Sequence, residues 1–539
     1  MLFNSTEFIF AFFPLTVAGY FALARLSRAS ALVWLVLASL FFYAWWNPSN
    51  LLVIGPSLIV NFLFARALAS TAADEHRSAL RRALLVAGIV FNVALLGYFK
   101  YLNFATTSLN DVFGTSFVVR HIILPLGISF ITFQEIAFLI DVHGRQIRAF
   151  TFRNFCLFVL FFPQLIAGPI VHYRETMPQF ERTTCRFDRT AFSLGMTLFF
   201  FGLFKKIVLA DGIANHVAPV YALAAGGENV TLFSAWAAAV GFTLQIYFDF
   251  SGYSDMAIGL ARCFGIKLPV NFDSPLKASS IIDFWLRWHI TLTRFLTAYI
   301  YNPLALTLTR RRVAKKLPLL GRKASVGAFV QVLAAPTLLT MLISGFWHGA
   351  GWLFVLWGFV HGVYLVINHA WRIFARQWRD SARYARWMRP AGFVLTFVSV
   401  VFAMVLFRST TLDSAVNLLA GMVGAHGVSL PRPLVEPFGL AGALSSFVSL
   451  TEGGATDFVI TYGWIAALLI IALFLPNSLQ ITARYESALD IDERPAHTRA
   501  STKWPTWNPT LPWAVAVSVV AAVTIIHLGR YSEFLYWQF

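Results

Sequence analysis

The sequence predicts an all-α protein that threads a membrane many times. Three observations carry this. Of 539 residues, 58% are hydrophobic and 12% charged, against a charged share of about 25% in soluble chains. Apolar stretches of near bilayer-crossing length recur along the whole chain. The 54 Phe and 17 Trp suit lipid-facing helices belted by aromatic rings. A soluble enzyme is excluded, and the net charge of +17 reads as basic cytoplasmic loops rather than nucleic-acid binding.

In order, apolar segments fall near residues 8–24, 31–46, 51–69, 83–100, 122–141, 154–171, 191–210, 232–260, 282–300, 326–343, 353–370, 391–407, 459–475 and 511–528. Of these, 11–14 are expected to be membrane segments, with some re-entrant or interfacial. No linker and no internal repeat divides them, so 1–539 reads as a single transmembrane domain. Met1-Leu2-Phe3-Asn4-Ser5-Thr6-Glu7 lacks the basic n-region of a cleavable signal peptide. Cys156, Cys185 and Cys263 lie far apart, giving neither a metal spacing nor a disulfide framework, and no metal is expected.

Charge sets the orientation. Arg25 and Arg28, the cluster from His76 to Arg82, and Arg145, Arg148 and Arg153 flank segment ends. The densest block is Arg310, Arg311, Arg312, Lys315 and Lys316, with Arg322 and Lys323; a second runs from Arg372 to Arg389. All read as cytoplasmic. Arg174, Arg182, Arg186 and Arg189 fit that scheme only if 154–171 is re-entrant, and Pro163 and Ala167-Gly168-Pro169 support this. Residues 409–458, rich in Gly and Ser, then form an extracytoplasmic loop, and 476–510 a cytoplasmic one. Neither is large enough for a catalytic domain, which leaves the chemistry to the membrane body.

Two histidines stand out there. Ser344-Gly345-Phe346-Trp347-His348-Gly349-Ala350-Gly351-Trp352 places an imidazole between two apolar segments. Taken alone, His348 is as well explained by a hydrogen-bonded structural role as by chemistry. Asp283-Phe284-Trp285-Leu286-Arg287-Trp288-His289 supplies the second. Read as one helix, it sets Trp285, Trp288, His289, Leu292 and Phe295 on one face, with Asp283 and Arg287 spaced to pair. By itself His289 reads as a core histidine bonded to a backbone carbonyl. His361 and His369 read as structural. The carboxylates Glu135, Asp141, Asp249 and Asp255 in apolar surroundings read as members of polar networks, with Gln245 and Arg262 near the last two. No Walker loop, dinucleotide fingerprint or His-Glu-x-x-His motif is present.

A series of motifs in fixed order resembles the membrane-bound O-acyltransferase family, in its alginate O-acetylase-like branch. They are Leu96-Gly97-Tyr98-Phe99-Lys100-Tyr101, Leu124-Pro125-Leu126-Gly127-Ile128-Ser129-Phe130, Pro163-Gln164-Leu165-Ile166-Ala167-Gly168-Pro169 and Asp249-Phe250-Ser251-Gly252-Tyr253-Ser254-Asp255. Phe284 to His289, Gly345-Phe346-Trp347-His348-Gly349, Leu406-Phe407-Arg408 and Leu475-Pro476-Asn477 complete the series. The resemblance implies a helical body with a central tunnel, an acyl donor entering from the cytoplasm and an acceptor on the far side. It makes His348 the near-invariant catalytic histidine and His289 the second polar position. The chain departs around Tyr299-Ile300-Tyr301, with Ala298 before it and Asn302-Pro303-Leu304-Ala305-Leu306 after it. That departure leaves the acceptor open and both histidines untouched.

The chemistry agrees. Transfer from a thioester to a hydroxyl needs a base, and imidazole, with a reference pKa of about 6.5, suits the task. His348 is the expected base, with His289 positioning the acyl group or polarising its carbonyl. Acetyl-CoA is the expected donor substrate, and the basic block at Arg310, Arg311, Arg312, Lys315 and Lys316 is a candidate docking surface for its phosphates, explained equally well by topology alone. The expected acceptor is an extracytoplasmic polysaccharide, reached from a bacterial inner membrane. The alternatives are peptidoglycan O-acetylation, D-alanyl transfer, or a glycan or lipid transporter; the missing inverted repeat counts against the last. Residues 530–539 end in Phe534-Leu535-Tyr536-Trp537-Gln538-Phe539. Such residues commonly serve as an interfacial anchor. Their Phe-x-Tyr-x-x-Phe pattern also resembles the motif on the small partner protein of the D-alanylation system. On that resemblance Tyr536 is an acyl relay, and the partner is a separate extracytoplasmic acetyltransferase with a serine nucleophile. A phenol ionises near pH 10, so its ester keeps a good leaving group.

Overall fold

A computed structural model describes residues 1–72, 75–118, 122–182, 185–320, 325–375, 382–489, 504–529 and 534–535. Among them the chain is helical almost throughout; one short parallel pair, Ser429–Pro431 with Ser449–Thr451, is its only sheet. The all-α expectation holds.

The apolar segments sort by what their flanks meet. Among the described residues, seven helices are long and apolar enough to cross a bilayer: Pro48–Ser70, Ser78–Phe113, Arg189–Ala225, Val326–His348, Trp352–Phe374, Arg386–Arg408 and Ala455–Phe474. Three shorter apolar helices are Phe8–Ala24, Arg28–Ala44 and Leu511–Ile526. The remaining four segments are interior. Ile128–His143 and the 32-residue Leu232–Cys263 are largely buried. Segment 154–171 contains a helix only over Phe152–Leu160, nine residues long. That is about 14 Å of rise, too short to cross, and residues 161–172 continue as buried irregular backbone. Backbone of that kind is tolerated at membrane depth only inside protein, as the re-entrant reading requires.

The chain divides into two compact units. The first comprises Met1–Phe204, Gly252–Val270 and Ser478–Tyr531; the second comprises Lys205–Ser251, Asn271–Asn477 and Ser532–Phe539. The first is held by phenylalanines: Phe8, Phe12, Phe42 and Phe162 meet at ring separations of 5.4–6.1 Å. Its intramembrane polar groups are paired as expected. Ser57 donates to Glu135 at 2.8 Å, Asn61 and Asn92 bond each other, and Ser478 donates to Asp255 at 2.5 Å.

The second unit carries both histidines. Its tightest contact is the hairpin of Ala335–His348 and Trp352–Phe374. Lipid tails are as apolar as side chains, so helices in a membrane associate through close van der Waals packing, which small residues permit. Gly345 and Gly358 supply it here. A Cβ on Gly345 would fall 2.2 Å from the Phe354 carbonyl oxygen, and one on Gly358 2.3 Å from that of Met341. No side chain fits at either position.

Candidate active site

His348 is the last residue of its helix, and the extended backbone of Gly349 stops that helix. The imidazole is buried in a ring of aromatics. Trp347 lies at 4.9 Å, Trp357 of the facing helix at 5.0 Å and Phe407 at 5.5 Å between ring centroids.

His289 reaches the same place by a route the sequence conceals. The stretch is not one helix. Ile281–Trp285 ends, residues 286–289 turn, and Ile290–Leu296 begins. His289 sits at the junction with φ 44° and ψ 52°, a left-handed conformation that costs a non-glycine residue about 1–3 kcal/mol. Residues 271–273 hold it there. Ile290 N–H donates to the Asn271 carbonyl at 2.9 Å, and Asp273 N–H to that of Arg287 at 3.0 Å. The helical-face reading of His289 is therefore corrected, while the Asp283–Arg287 pair forms at 2.8 Å.

The partner of His289 is a side-chain amide rather than a backbone carbonyl. Its Nδ1 lies 3.0 Å from Asn271 Oδ1. The same oxygen accepts from the Thr291 hydroxyl at 2.9 Å and the Thr291 backbone N–H at 3.4 Å. A backbone N–H can only donate, so this amide atom is the oxygen, and His289 Nδ1 must carry the proton facing it. In a neutral imidazole the lone pair is then on Nε2.

The two imidazoles stand 6.3 Å apart between centroids. They face one narrow cavity, whose wall also includes Phe250, Trp288, Trp357, Met404 and Phe407. Phe250 meets His289 edge-on at 4.8 Å. His361 is buried behind Trp357, at 4.8 Å from its ring.

One residue before Phe250, Asp249 enters an ion cluster. Lys206 Nζ lies 2.6 Å from Asp249 Oδ1 and 2.9 Å from Asp211 Oδ1. The sequence pointed to Gln245 and Arg262 as neighbours; the basic partner is Lys206. Removing one member of a buried pair commonly costs about 3–5 kcal/mol, because the other charge stays uncompensated.

The basic block divides. Arg312 is buried, donating to the Pro318 carbonyl at 2.7 and 2.9 Å and to Gln331 Oε1 at 2.8 Å. Its guanidinium serves the local fold. Arg310, Arg311, Lys315 and Lys316 are exposed. Tyr536 lies outside the described residues, while Phe534 and Leu535 just before it are described.

Residues 136–320 match the model of MBOAT, the membrane-bound O-acyltransferase family. A peptidoglycan O-acetyltransferase from Helicobacter pylori is 39% identical over 458 residues, covering 80% of this chain and 81% of that protein. Probable alginate O-acetylases from Azotobacter vinelandii and Pseudomonas aeruginosa are 33% and 34% identical over the full length of both chains. The chain belongs to the membrane-bound O-acyltransferase family. It is a multi-pass membrane O-acyltransferase.

In this O-acyltransferase the residues that sequence reasoning missed are the ones that act across distance. Asn271 lies 18 positions from His289, inside Pro269-Val270-Asn271-Phe272-Asp273-Ser274-Pro275. Its only signal was a polar residue between prolines. Lys206, beside Lys205, carried no such signal.

Proposed function

We propose that this O-acyltransferase takes an acetyl group from cytoplasmic acetyl-CoA and moves it across the inner membrane for O-acetylation of an extracytoplasmic polysaccharide. The observation that carries the reading is the pair of imidazoles, 6.3 Å apart, on one apolar cavity. At that separation both rings are close enough to act on one reacting group, which a catalytic nitrogen must approach to within about 3 Å.

In the proposed reaction a hydroxyl oxygen attacks the thioester carbonyl carbon while His348 takes its proton. The tetrahedral intermediate collapses, the C–S bond breaks, and His348 returns the proton to the departing thiolate as coenzyme A leaves. His289 works beside it. With Nδ1–H directed at Asn271, a neutral His289 accepts at Nε2 rather than donating. That favours positioning the incoming hydroxyl over polarising the carbonyl. Arg310, Arg311, Lys315 and Lys316 supply the exposed positive charge for the coenzyme phosphates.

Tyr536 is the proposed first acceptor. Its phenol takes the acetyl group, and its ester passes that group to the serine of a separate extracytoplasmic acetyltransferase and then to the polymer. The full-length likeness to alginate O-acetylases supports an alginate-like exopolysaccharide. The 39% identity to a peptidoglycan O-acetyltransferase supports peptidoglycan as a second reading.

Purified protein given acetyl-CoA, the partner acetyltransferase and either polymer decides between them. Coenzyme A thiol release coupled to O-acetyl on the alginate-like polymer is the expected result. Acetylation of peptidoglycan instead selects the second reading, and no thiol release with either polymer contradicts both.

A further inference from the structure

The last described residues are not loose on the surface. Phe534 is 1% and Leu535 7% exposed. The Leu535 backbone N–H donates to Asp249 Oδ2 at 3.2 Å. The Phe534 ring lies under Lys206 Nζ, 4.9 Å from its centroid, within the range of a cation–π contact. Lys206 and Asp249 are each 1% exposed. An interfacial anchor would set its aromatic rings among lipid headgroups; Phe534 is instead inside protein, against a buried cation.

The cluster can do this because its charges are divided. Lys206 meets Asp249 through Oδ1 and Asp211 through Oδ1, while Asp249 Oδ2 faces the Leu535 amide. One carboxylate therefore serves both the lysine and the tail backbone. Along the same helix the next residue is Phe250, whose ring meets His289 and lines the cavity. In the sequence the residue after Leu535 is Tyr536.

We propose that Lys206 and Asp249 form a docking clamp for the tail, gripping Phe534 and Leu535 and so anchoring the chain that leads into Tyr536. The proposal rests on the reading of Tyr536 as the acyl carrier and adds the residues that position it. Lys206 holds the ring face, and Asp249 fixes the backbone. A relay needs such a device: without it, the carrier hydroxyl would be one end of a searching chain, and the proximity gain of a held nucleophile would be lost.

The test alters the tail and leaves the buried ion cluster intact. Leu535→Pro removes the amide proton given to Asp249, Phe534→Ala removes the ring, and Phe534→Trp keeps an aromatic face for Lys206. Full-length protein in vesicles receives labelled acetyl-CoA, and acetyl on the tail peptide is followed by mass spectrometry. The expected result is at least tenfold slower tail acetylation in Leu535→Pro and Phe534→Ala, with KM for acetyl-CoA unchanged and Phe534→Trp near wild type. Wild-type rates in the first two variants overturn the clamp and leave the relay standing. An acetyl-free wild-type tail overturns the relay, and with it the positioning role of the clamp.

Discussion

His348→Ala should abolish acyl transfer while the protein still accumulates in the membrane. A positioned general base contributes about 10²–10⁴-fold, so the expected fall is at least a hundredfold, about 3 kcal/mol or more of barrier. The helix-stopping backbone is carried by Gly349, and the helix crossing by Gly345 and Gly358. Removing the imidazole leaves both devices in place, so loss of activity would not be loss of fold. Turnover of purified, monodisperse variant is the measurement. Retention of more than about a tenth of wild-type activity, a loss of only about 1.4 kcal/mol, would remove His348 as the base.

Tyr536→Phe is the second large effect. The substitution keeps the ring and deletes one oxygen, so an anchoring role would survive it and a carrier role would not. Polymer O-acetylation should drop to background, because an acyl ester needs that oxygen. Slow thioester hydrolysis at the histidine pair should continue, since water can still reach the carbonyl. Polymer O-acetyl content and coenzyme A release, measured together, separate the two steps. Full polymer acetylation by the variant would reduce Tyr536 to an anchor.

Much of this was legible in the sequence. Hydropathy alone gave an all-α polytopic body, and the glycine-flanked turn marked His348. What was illegible depends on contacts between distant residues. The stretch around His289 has helical spacing, yet the two backbone bonds to residues 271–273 turn it left-handed, and no local pattern announces them. Segments 232–260 and 282–300 read like spans because interior helices and lipid-facing ones share an apolar composition; only packing distinguishes them. Lys206 went unremarked because its carboxylate Asp249 is more than forty residues away.

The central claim is directional: an acetyl group enters from the coenzyme side, passes the His348 site and leaves on the other. Proteoliposomes of uniform orientation, with labelled acetyl-CoA on the side bearing residues 310–316 and the partner acetyltransferase with its polymer on the opposite side, test it directly. The account predicts label on the polymer with wild-type protein and none with His348→Ala. Label on the polymer with His348→Ala at the wild-type rate, or only when donor and polymer share one side, would contradict it.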